Sequence, residues 1–270
     1  MKVLVLFIAM VCAIACTTTE TILDFNLVEG SINKLDSAYV IFQEQAYRFP
    51  LDAQGKGTLK MNIKEDGFAI LVYGKLSTNI YLKQGNTLKV IWDKEDWRGG
   101  KMQVVSDDGG INEYIRLNIE KSFKKATECS FTLEEDSFMD KVEQTIRELS
   151  AGIDSTNFAP EIKDILKASS KYEVLYWIYK YPRFHNFGKR MSQEEYLAFK
   201  RFNEYMFDKF EAHPEYLCLT AYREYAVNWF YELMQLRCFG EPYILKKEKA
   251  CQYILEHVKN AELREYALAE

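Results

Sequence analysis

The chain has 270 residues, of which 48% are hydrophobic and 28% are charged, and its formal net charge is −5 at pH 7. This composition is typical of a globular protein and excludes a largely disordered chain. The negative charge and the lack of a basic block argue against a nucleic-acid-binding protein, so we expect no nucleic-acid partner. A chain of this length can form one large domain or two smaller ones.

The first fifteen residues have the features of a secretory signal peptide. The positively charged start Met1-Lys2 is followed by the apolar run Val3 to Ala15, and small residues precede the expected cleavage point. The run is shorter than the roughly 20 residues that a transmembrane helix needs. We therefore predict a signal peptide over residues 1–15 and a mature protein in the cell envelope.

The residue that follows suggests a lipid anchor. Cys16 comes directly after the small residue Ala15, and this arrangement resembles the lipobox of bacterial lipoproteins, in which the cysteine receives a lipid and becomes the new N-terminus. Ala13 stands where the lipobox usually has Leu, so cleavage without lipidation is the alternative. The resemblance implies lipidation at Cys16, a tether over residues 16–20 and a membrane partner bound through the lipid, at the periplasmic face or the outer membrane surface.

Residues 21–107 show short strands separated by turns. Runs rich in β-branched and aromatic residues recur with Gly, Asn and Asp between them, which is typical of an antiparallel sandwich or barrel. The runs cover residues 38–42, 58–63, 68–73, 79–82 and 87–92. We predict an antiparallel β-sandwich over residues 21–107.

The period of the apolar residues changes after the segment 107–110, which reads Asp-Asp-Gly-Gly. Ile111, Ile115 and Ile119 then recur at helical spacing. The expected fold class is therefore α+β, with the N-terminal antiparallel β-sandwich followed by an all-helical domain over residues 108–270.

Several helix starts can be predicted from local signals. Thr132 with Glu135, and Ser192 with Glu195, have the spacing of capping boxes. Pro160 can occupy the first turn of another helix. The helix after Ser192 is expected to carry apolar side chains on one side: Tyr196, Phe199, Phe202, Met206 and Phe210.

Four cysteines remain once the signal peptide and Cys16 are set aside. Cys129, Cys218, Cys238 and Cys251 allow three disulfide pairings in an oxidising compartment, and the sequence does not choose among them. Four separate buried thiols are the alternative. The chain has no Cys-x-x-Cys motif.

No catalytic set can be assembled from the sequence. His185, His213 and His257 have none of the spacings of a zinc site, and we interpret them as capping or surface residues. The chain lacks a nucleophile elbow, a phosphate-binding loop and a dinucleotide fingerprint. We therefore predict no catalytic residue, no metal and no cofactor, and the sequence leaves open whether the protein is an enzyme.

Two acidic clusters are interpreted as solvated faces or helix caps rather than as acid–base or metal sites. Their members are Asp93, Glu95 and Asp96 in the first cluster, and Glu134, Glu135 and Asp136 in the second.

Two aromatic features are candidates for binding. The segment 172–181 contains four tyrosines and a tryptophan, and it could line a ligand groove, although packing between helices is the preferred interpretation. Trp92 and Trp97 flank the first acidic cluster and could form an exposed recognition edge.

The order of these features resembles one known family. Residues 25–32 read FNLVEGSI, residues 52–58 read DAQGKGT, residues 79–88 read NIYLKQGNTL, and residues 110–115 read GINEYI at the start of the helices. This layout is similar to the N-terminal half of the thioredoxin-like lipoproteins of Bacteroidetes (TlpA / AhpC-TSA-like disulfide reductases). There, a small β-sandwich and a helical domain precede a thioredoxin domain, and the resemblance covers about residues 1–270.

The departure from the family affects the expected function. The family's activity lies in a Cys-x-x-Cys motif, which this chain lacks, so no catalytic residue is carried over. The resemblance implies the non-catalytic N-terminal part of a membrane-anchored thiol-disulfide oxidoreductase-like lipoprotein, acting as a spacer or docking module for a C-terminal thioredoxin domain or a protein partner. The alternative is a stand-alone envelope lipoprotein that binds a ligand or a protein. Residues 262–270 strongly favour a helix and contain no residue that would stop it. A natural C-terminus and a truncated reading frame would both give this pattern.

Overall fold

A computed structural model describes residues 20–28, 35–93, 102–185, 192–208, 213–237 and 243–258, together with positions 261, 264, 265 and 268. The side chains of 207, 208, 230–237, 243–246 and 257 are outside this description. The predicted signal peptide, Cys16 and residues 17–19 of the predicted tether also lie outside the described residues.

The described part of the chain has an α+β fold, with strands first and helices after them, as predicted. The strands are β1 (Thr21–Leu27), β2 (Ser37–Phe42), β3 (Gln45–Pro50), β4 (Lys56–Met61), β5 (Gly67–Tyr73), β6 (Leu76–Leu82), β7 (Thr87–Trp92) and β8 (Gln103–Val105). They form two four-stranded sheets, one in the order β4-β1-β7-β8 (sheet A) and one in the order β3-β2-β5-β6 (sheet B).

The two sheets pack face to face because their strands alternate between apolar and polar residues. In β1, Leu23, Phe25 and Leu27 are buried while the residues between them are only half-buried. They meet Val40 and Phe42 of β2 within a single apolar cluster. Since successive side chains of a strand point to opposite faces, this alternation places the core between the sheets.

One strand pairing differs from the antiparallel prediction. Strands β1 and β7 run parallel, with Ile22 opposite Thr87 and Phe25 opposite Val90, whereas the other pairings are antiparallel. Alternation of apolar residues shows which face of a strand is buried but carries no information on the direction of its neighbour. Sheet A is therefore mixed.

The helices follow the last strand. They are α1 (Ile111–Thr127), α2 (Glu135–Asp154), α3 (Pro160–Ile178), α4 (Tyr181–His185), α5 (Gln193–Leu197), α6 (Lys200–Asn203), a π-helical turn (Glu204–Asp208), a 3-10 turn (Pro214–Tyr216), α7 (Thr220–Arg237) and α8 (Tyr243–His257).

The first helix begins at the predicted boundary. Gly110 adopts a φ of 85°, a left-handed conformation that glycine tolerates better than residues with a side chain. The buried Asp108 carboxylate accepts hydrogen bonds from the backbone N–H groups of Gly110, Ile111 and Asn112. It thus satisfies donors that the first turn of a helix leaves without intrahelical partners.

The other predicted helix starts have mixed outcomes. Pro160 opens α3, and Ser192 and Glu195 form the expected capping box. The box predicted at Thr132 is wrong, because the N-cap of α2 is Glu134 and makes no side-chain capping bond. The predicted partner Glu135 instead accepts a hydrogen bond from the backbone N–H of Phe202, at 2.7 Å.

The single long helix expected after Ser192 is broken into α5, α6 and the π-helical turn. The break coincides with anchoring on α2, where Arg201 forms ion pairs with Asp140 at 2.7 Å and Glu143 at 3.0 Å. Of the expected apolar face, Phe202 and Met206 are buried, Tyr196 and Phe199 are half-buried, and the side chain of Phe210 lies outside the described residues.

Candidate functional site

The helical part is fixed to strand β6, one of the two edge strands of sheet B. The side-chain amide of Asn112 donates to the carbonyl of Tyr81 at 2.7 Å, and its carbonyl oxygen accepts from the N–H of Tyr81 at 2.8 Å. These are the two bonds that a neighbouring strand would otherwise supply. An apolar cluster that includes Tyr81, Ile111 and Ile115 packs beside them.

A second asparagine of β6 positions the start of α7. Asn79 donates from its amide nitrogen to the carbonyl of Cys218 at 2.7 Å, and its oxygen accepts from the N–H of Thr220 at 3.1 Å. Asn79 is 3% exposed. This pair of bonds holds the N-terminus of α7 over the outer face of sheet B.

The outer face of sheet B and the helices enclose an open cleft of about 600 Å³. The aliphatic side chains that line it come from β2, β5, β6 and α7: Ile41, Ile70, Val72, Leu76 and Val227. Tyr176 of α3 contributes an aromatic wall. Strand β5 carries apolar residues on both faces, so the floor of the cleft is apolar, and the helical part contacts sheet B at β6.

Polar groups lie at the α7 side of the cleft. Thr220, the first residue of α7, is 7% exposed, and its hydroxyl oxygen has no hydrogen-bond partner among the described residues. The Arg223 Nε donates to the carbonyl of Leu217 at 2.5 Å. The lining also includes Ser77, Glu224 and Asn228.

Lys75 adds a positive charge from the β5–β6 turn. Its side chain is exposed, lines the cleft and forms no ion pair with any described residue. The N-terminus of a helix carries a partial positive charge. Lys75, Arg223 and the start of α7 thus contribute positive charge to the lining, and Glu224 contributes one carboxylate.

The sequence prediction of a recognition edge is wrong for Trp92. Its ring is fully buried in the core between the sheets and packs edge-on against Phe25 at 6.4 Å between ring centroids. Buried and exposed residues alternate along β7, and Trp92 occupies a buried position in this pattern. Its indole therefore belongs to the core. Trp97, Glu95 and Asp96 lie outside the described residues, and Asp93 is exposed.

The aromatic segment 172–181 divides between core and cleft. Tyr172 and Tyr181 are buried, and Tyr181 stacks on Phe138 with ring centroids 3.9 Å apart. Tyr176, in contrast, reaches the cleft. The preferred interpretation of core packing therefore holds for the two buried tyrosines, while the groove interpretation fits Tyr176.

The buried tyrosines have perturbed acidities. Burial raises the pKa of Tyr222 to about 12, although its hydroxyl accepts a hydrogen bond from the backbone N–H of His213. Burial likewise raises the pKa values of Tyr172, Tyr181 and Tyr225 far above the ordinary value. These hydroxyls stay protonated at neutral pH and cannot act as bases there.

The described cysteines form no disulfide with one another. Cys129 is buried, Cys218 is half-buried and Cys251 is exposed. Burial raises the pKa of the Cys129 thiol, which makes it a poorer nucleophile. Cys238 lies outside the described residues.

The histidines and the second acidic cluster are engaged structurally. His185 Nδ1 lies 3.0 Å from the carbonyl of Phe131, and His213 Nδ1 lies 2.9 Å from Glu215. Glu134 occupies the N-cap position of α2 without a side-chain capping bond, Glu135 accepts from the N–H of Phe202, and Asp136 is 3.6 Å from Arg201. The side chain of His257 lies outside the described residues.

The described residues form neither a metal site nor a membrane-spanning helix. None of these residues group into three or more side chains able to hold a metal ion. None of the helices traced in this part of the chain is both long and apolar enough to span a bilayer.

The cleft was not predicted from the sequence, although a signal was present. Residues 68–73 form a continuous apolar run rather than an alternating one, and such a run indicates a strand covered on both faces. The other half of the site could not be read from sequence, since Lys75 and Thr220 are 145 positions apart.

Comparisons with known proteins do not identify a family. No family model and no curated protein matches the chain. One solved structure, described as a "putative cell adhesion protein" from Bacteroides ovatus ATCC 8483, aligns with a TM-score of 0.21 and 12% identity over 33% of this chain. The alignment spans 43% of that protein's length, and a TM-score this low does not establish a shared fold.

Proposed function

We propose that this protein is a lipid-anchored protein of the cell envelope that binds a small, largely apolar ligand in the cleft between sheet B and α7. The observation that carries the proposal is the cleft itself. Its volume of about 600 Å³ falls within the roughly 300–1,000 Å³ of typical small-molecule sites. Aliphatic walls with a few polar groups are also typical of such sites.

Binding in the cleft can be tested with the neutral fluorescent probe N-phenyl-1-naphthylamine. We expect saturable fluorescence enhancement with the full-length protein. Val227→Trp fills the cleft from α7 and should weaken probe binding about tenfold, which corresponds to about 1.4 kcal/mol. Leu117→Trp, at a 47% exposed position of α1, is the matched control and should leave binding unchanged.

The proposal fails if the probe does not bind, or if Val227→Trp and Leu117→Trp bind it as the wild type does. Thermal melts establish that each variant is folded. Val227→Phe adds a smaller side chain at the same position and replaces the Trp variant if that variant does not fold.

The lipid anchor is supported by the sequence around Cys16, which follows Ala15 as in a lipobox. Expression in a bacterial host supplied with an alkyne-tagged fatty acid should label the wild-type protein. Cys16→Ser should remove the label and release the protein from the membrane fraction. Equal labelling of the two proteins would contradict the anchor.

A second candidate function is that of a spacer or docking module for a thiol-disulfide oxidoreductase. It is supported by the paired hydrogen bonds of Asn112 and Asn79, which connect strand β6 of the sandwich to the helical part. Sequencing the source gene beyond codon 270 tests this function. An open frame that continues into a Trp-Cys-x-x-Cys segment would support it, and an immediate stop codon would contradict it.

A further inference from the structure

We infer that the ligand of the cleft is an aliphatic monocarboxylate, a fatty-acid-like molecule with its chain on the floor of sheet B and its carboxylate at the start of α7. This inference rests on the proposed function and adds the chemical class of the ligand.

The apolar part of the lining fits a hydrocarbon chain. Five of its members are branched aliphatic side chains, and Tyr176 is the one aromatic residue among the described lining residues. Aliphatic walls offer dispersion contacts along the whole length of a hydrocarbon chain. Ile70 and Val72 lie two residues apart on β5, so they form part of a continuous apolar floor.

The polar end of the lining fits an anion. Lys75 has no ion-pair partner among the described residues, so its charge is available to a ligand. Arg223 lies one turn into α7 and also lines the cleft. A carboxylate near a helix N-terminus is further stabilised by the helix dipole.

The hydroxyl of Thr220 is a second, independent sign of a ligand at this point. A buried hydroxyl without a hydrogen bond is costly, and most such groups in proteins are satisfied. Thr220 is 7% exposed, lines the cleft and leaves its Oγ1 without a partner in the described structure. A carboxylate oxygen would accept the hydrogen bond that this hydroxyl can donate.

Glu224 is the group that works against an anion, since it places one carboxylate in the same lining. The balance between Glu224 and the cations decides the preferred charge of the ligand. A series of ligands with one chain and three head groups therefore tests the inference directly.

The experiment is competition of sodium decanoate, 1-decanol and decylamine against N-phenyl-1-naphthylamine bound to the full-length protein. We expect decanoate to compete at least about fivefold better than decanol, the effect of one partly solvated charge pair. Raising the salt concentration to about 0.5 M should reduce this advantage by screening.

Variants assign the charge effect to the cleft. Lys75→Glu should weaken decanoate about fivefold or more while leaving decanol unchanged. Lys64→Glu reverses another exposed lysine that lies outside the cleft lining, and it should affect neither ligand. Thr220→Val removes the hydroxyl with little change in shape and should weaken decanoate more than decanol.

Equal competition by decanoate and decanol, or better competition by decylamine, would contradict the inferred carboxylate head group. Either result would still be compatible with an apolar ligand site. An unchanged decanoate affinity in Lys75→Glu would overturn the assignment to this end of the cleft. Failure of the probe itself to bind would overturn the proposed function and this inference together.

Discussion

Asn112 of α1 pairs with the backbone of Tyr81 of β6 as a neighbouring strand would, with one hydrogen bond of 2.7 Å and one of 2.8 Å. The edge of sheet B is thereby closed by a side chain rather than by another strand. An exposed strand edge invites pairing with other chains, so this contact protects the edge and also docks the helices.

Asn112→Ala should lower the free energy of unfolding by about 2–3 kcal/mol, because it leaves the buried N–H and C=O of Tyr81 without partners. Urea denaturation followed by circular dichroism measures the change. Asn62→Ala, at an exposed position, is the matched control and should change stability by less than about 0.5 kcal/mol. Equal stability of the two variants would contradict the docking role.

The same substitution at two glycines should have opposite effects on stability. A Cβ at Gly57 in β4 would lie 2.5 Å from the carbonyl oxygen of Pro50. Gly57→Ala should therefore destabilise the protein by about 1–3 kcal/mol.

Gly152 lies within α2, where the nearest atom to an added Cβ is the flexible end of Lys121 at 3.3 Å. Gly152→Ala should stabilise by about 0.5–1 kcal/mol through helix propensity. Thermal melts of the two variants measured together test both signs, and a gain in stability at Gly57 would show that the close approach is absent.

Thiol reactivity should follow burial. Alkylation of the native full-length protein with iodoacetamide, followed by peptide mass spectrometry, should modify Cys251 first, Cys218 later and Cys129 last. Cys129 is the slowest because burial raises its pKa and shields it. Labelling of Cys129 as fast as Cys251 would contradict this arrangement.

Stability should fall as the pH rises above about 10, the ordinary pKa of tyrosine. The folded state holds the protons of the buried tyrosines after the unfolded state has lost them, because folding raises the pKa of Tyr222 to about 12 and those of Tyr172 and Tyr225 further. The unfolded state then binds fewer protons, so the free energy of unfolding decreases with pH by up to about 1.4 kcal/mol per unit for each tyrosine.

Urea denaturation between pH 8 and 11.5 measures this slope. Tyr172→Phe should flatten this slope because it removes one hydroxyl whose pKa is raised by burial. Tyr39→Phe, at a 37% exposed site, is the control and should leave the slope unchanged. A slope that Tyr172→Phe leaves unchanged would contradict the burial of this hydroxyl.

The fold class could be predicted from the sequence because the relevant signals are local. Alternation in β4 and β7, and the glycine-containing segment before α1, depend on neighbouring residues only. Strand β3 escaped prediction since its hairpin turns through Gln43 and Glu44, which adopt positive φ values of 48° and 63° without a glycine. The fragmented helix after Ser192 escaped prediction, and its breaks coincide with contacts to α2, which is far away in sequence.

The candidate site was less predictable because its parts meet only in three dimensions. Tyr176 was within the aromatic segment singled out from the sequence, but Lys75 and Thr220 carried no motif. Trp92 shows the reverse case, since a residue that suggested recognition is part of the core. The sequence shows where aromatic residues cluster, but it does not show whether they contact a ligand or pack against each other in the core.

The central claim, that the cleft binds an apolar ligand, is tested most directly by methyl NMR. The protein would be labelled at isoleucine, leucine and valine methyl groups and titrated with N-phenyl-1-naphthylamine. The account predicts shifts at Ile41, Ile70, Val72, Leu76 and Val227, and unperturbed signals at Leu23 and Val40 in the sandwich core. Shifts confined to methyl groups outside the cleft, or no shifts at saturating probe, would contradict it.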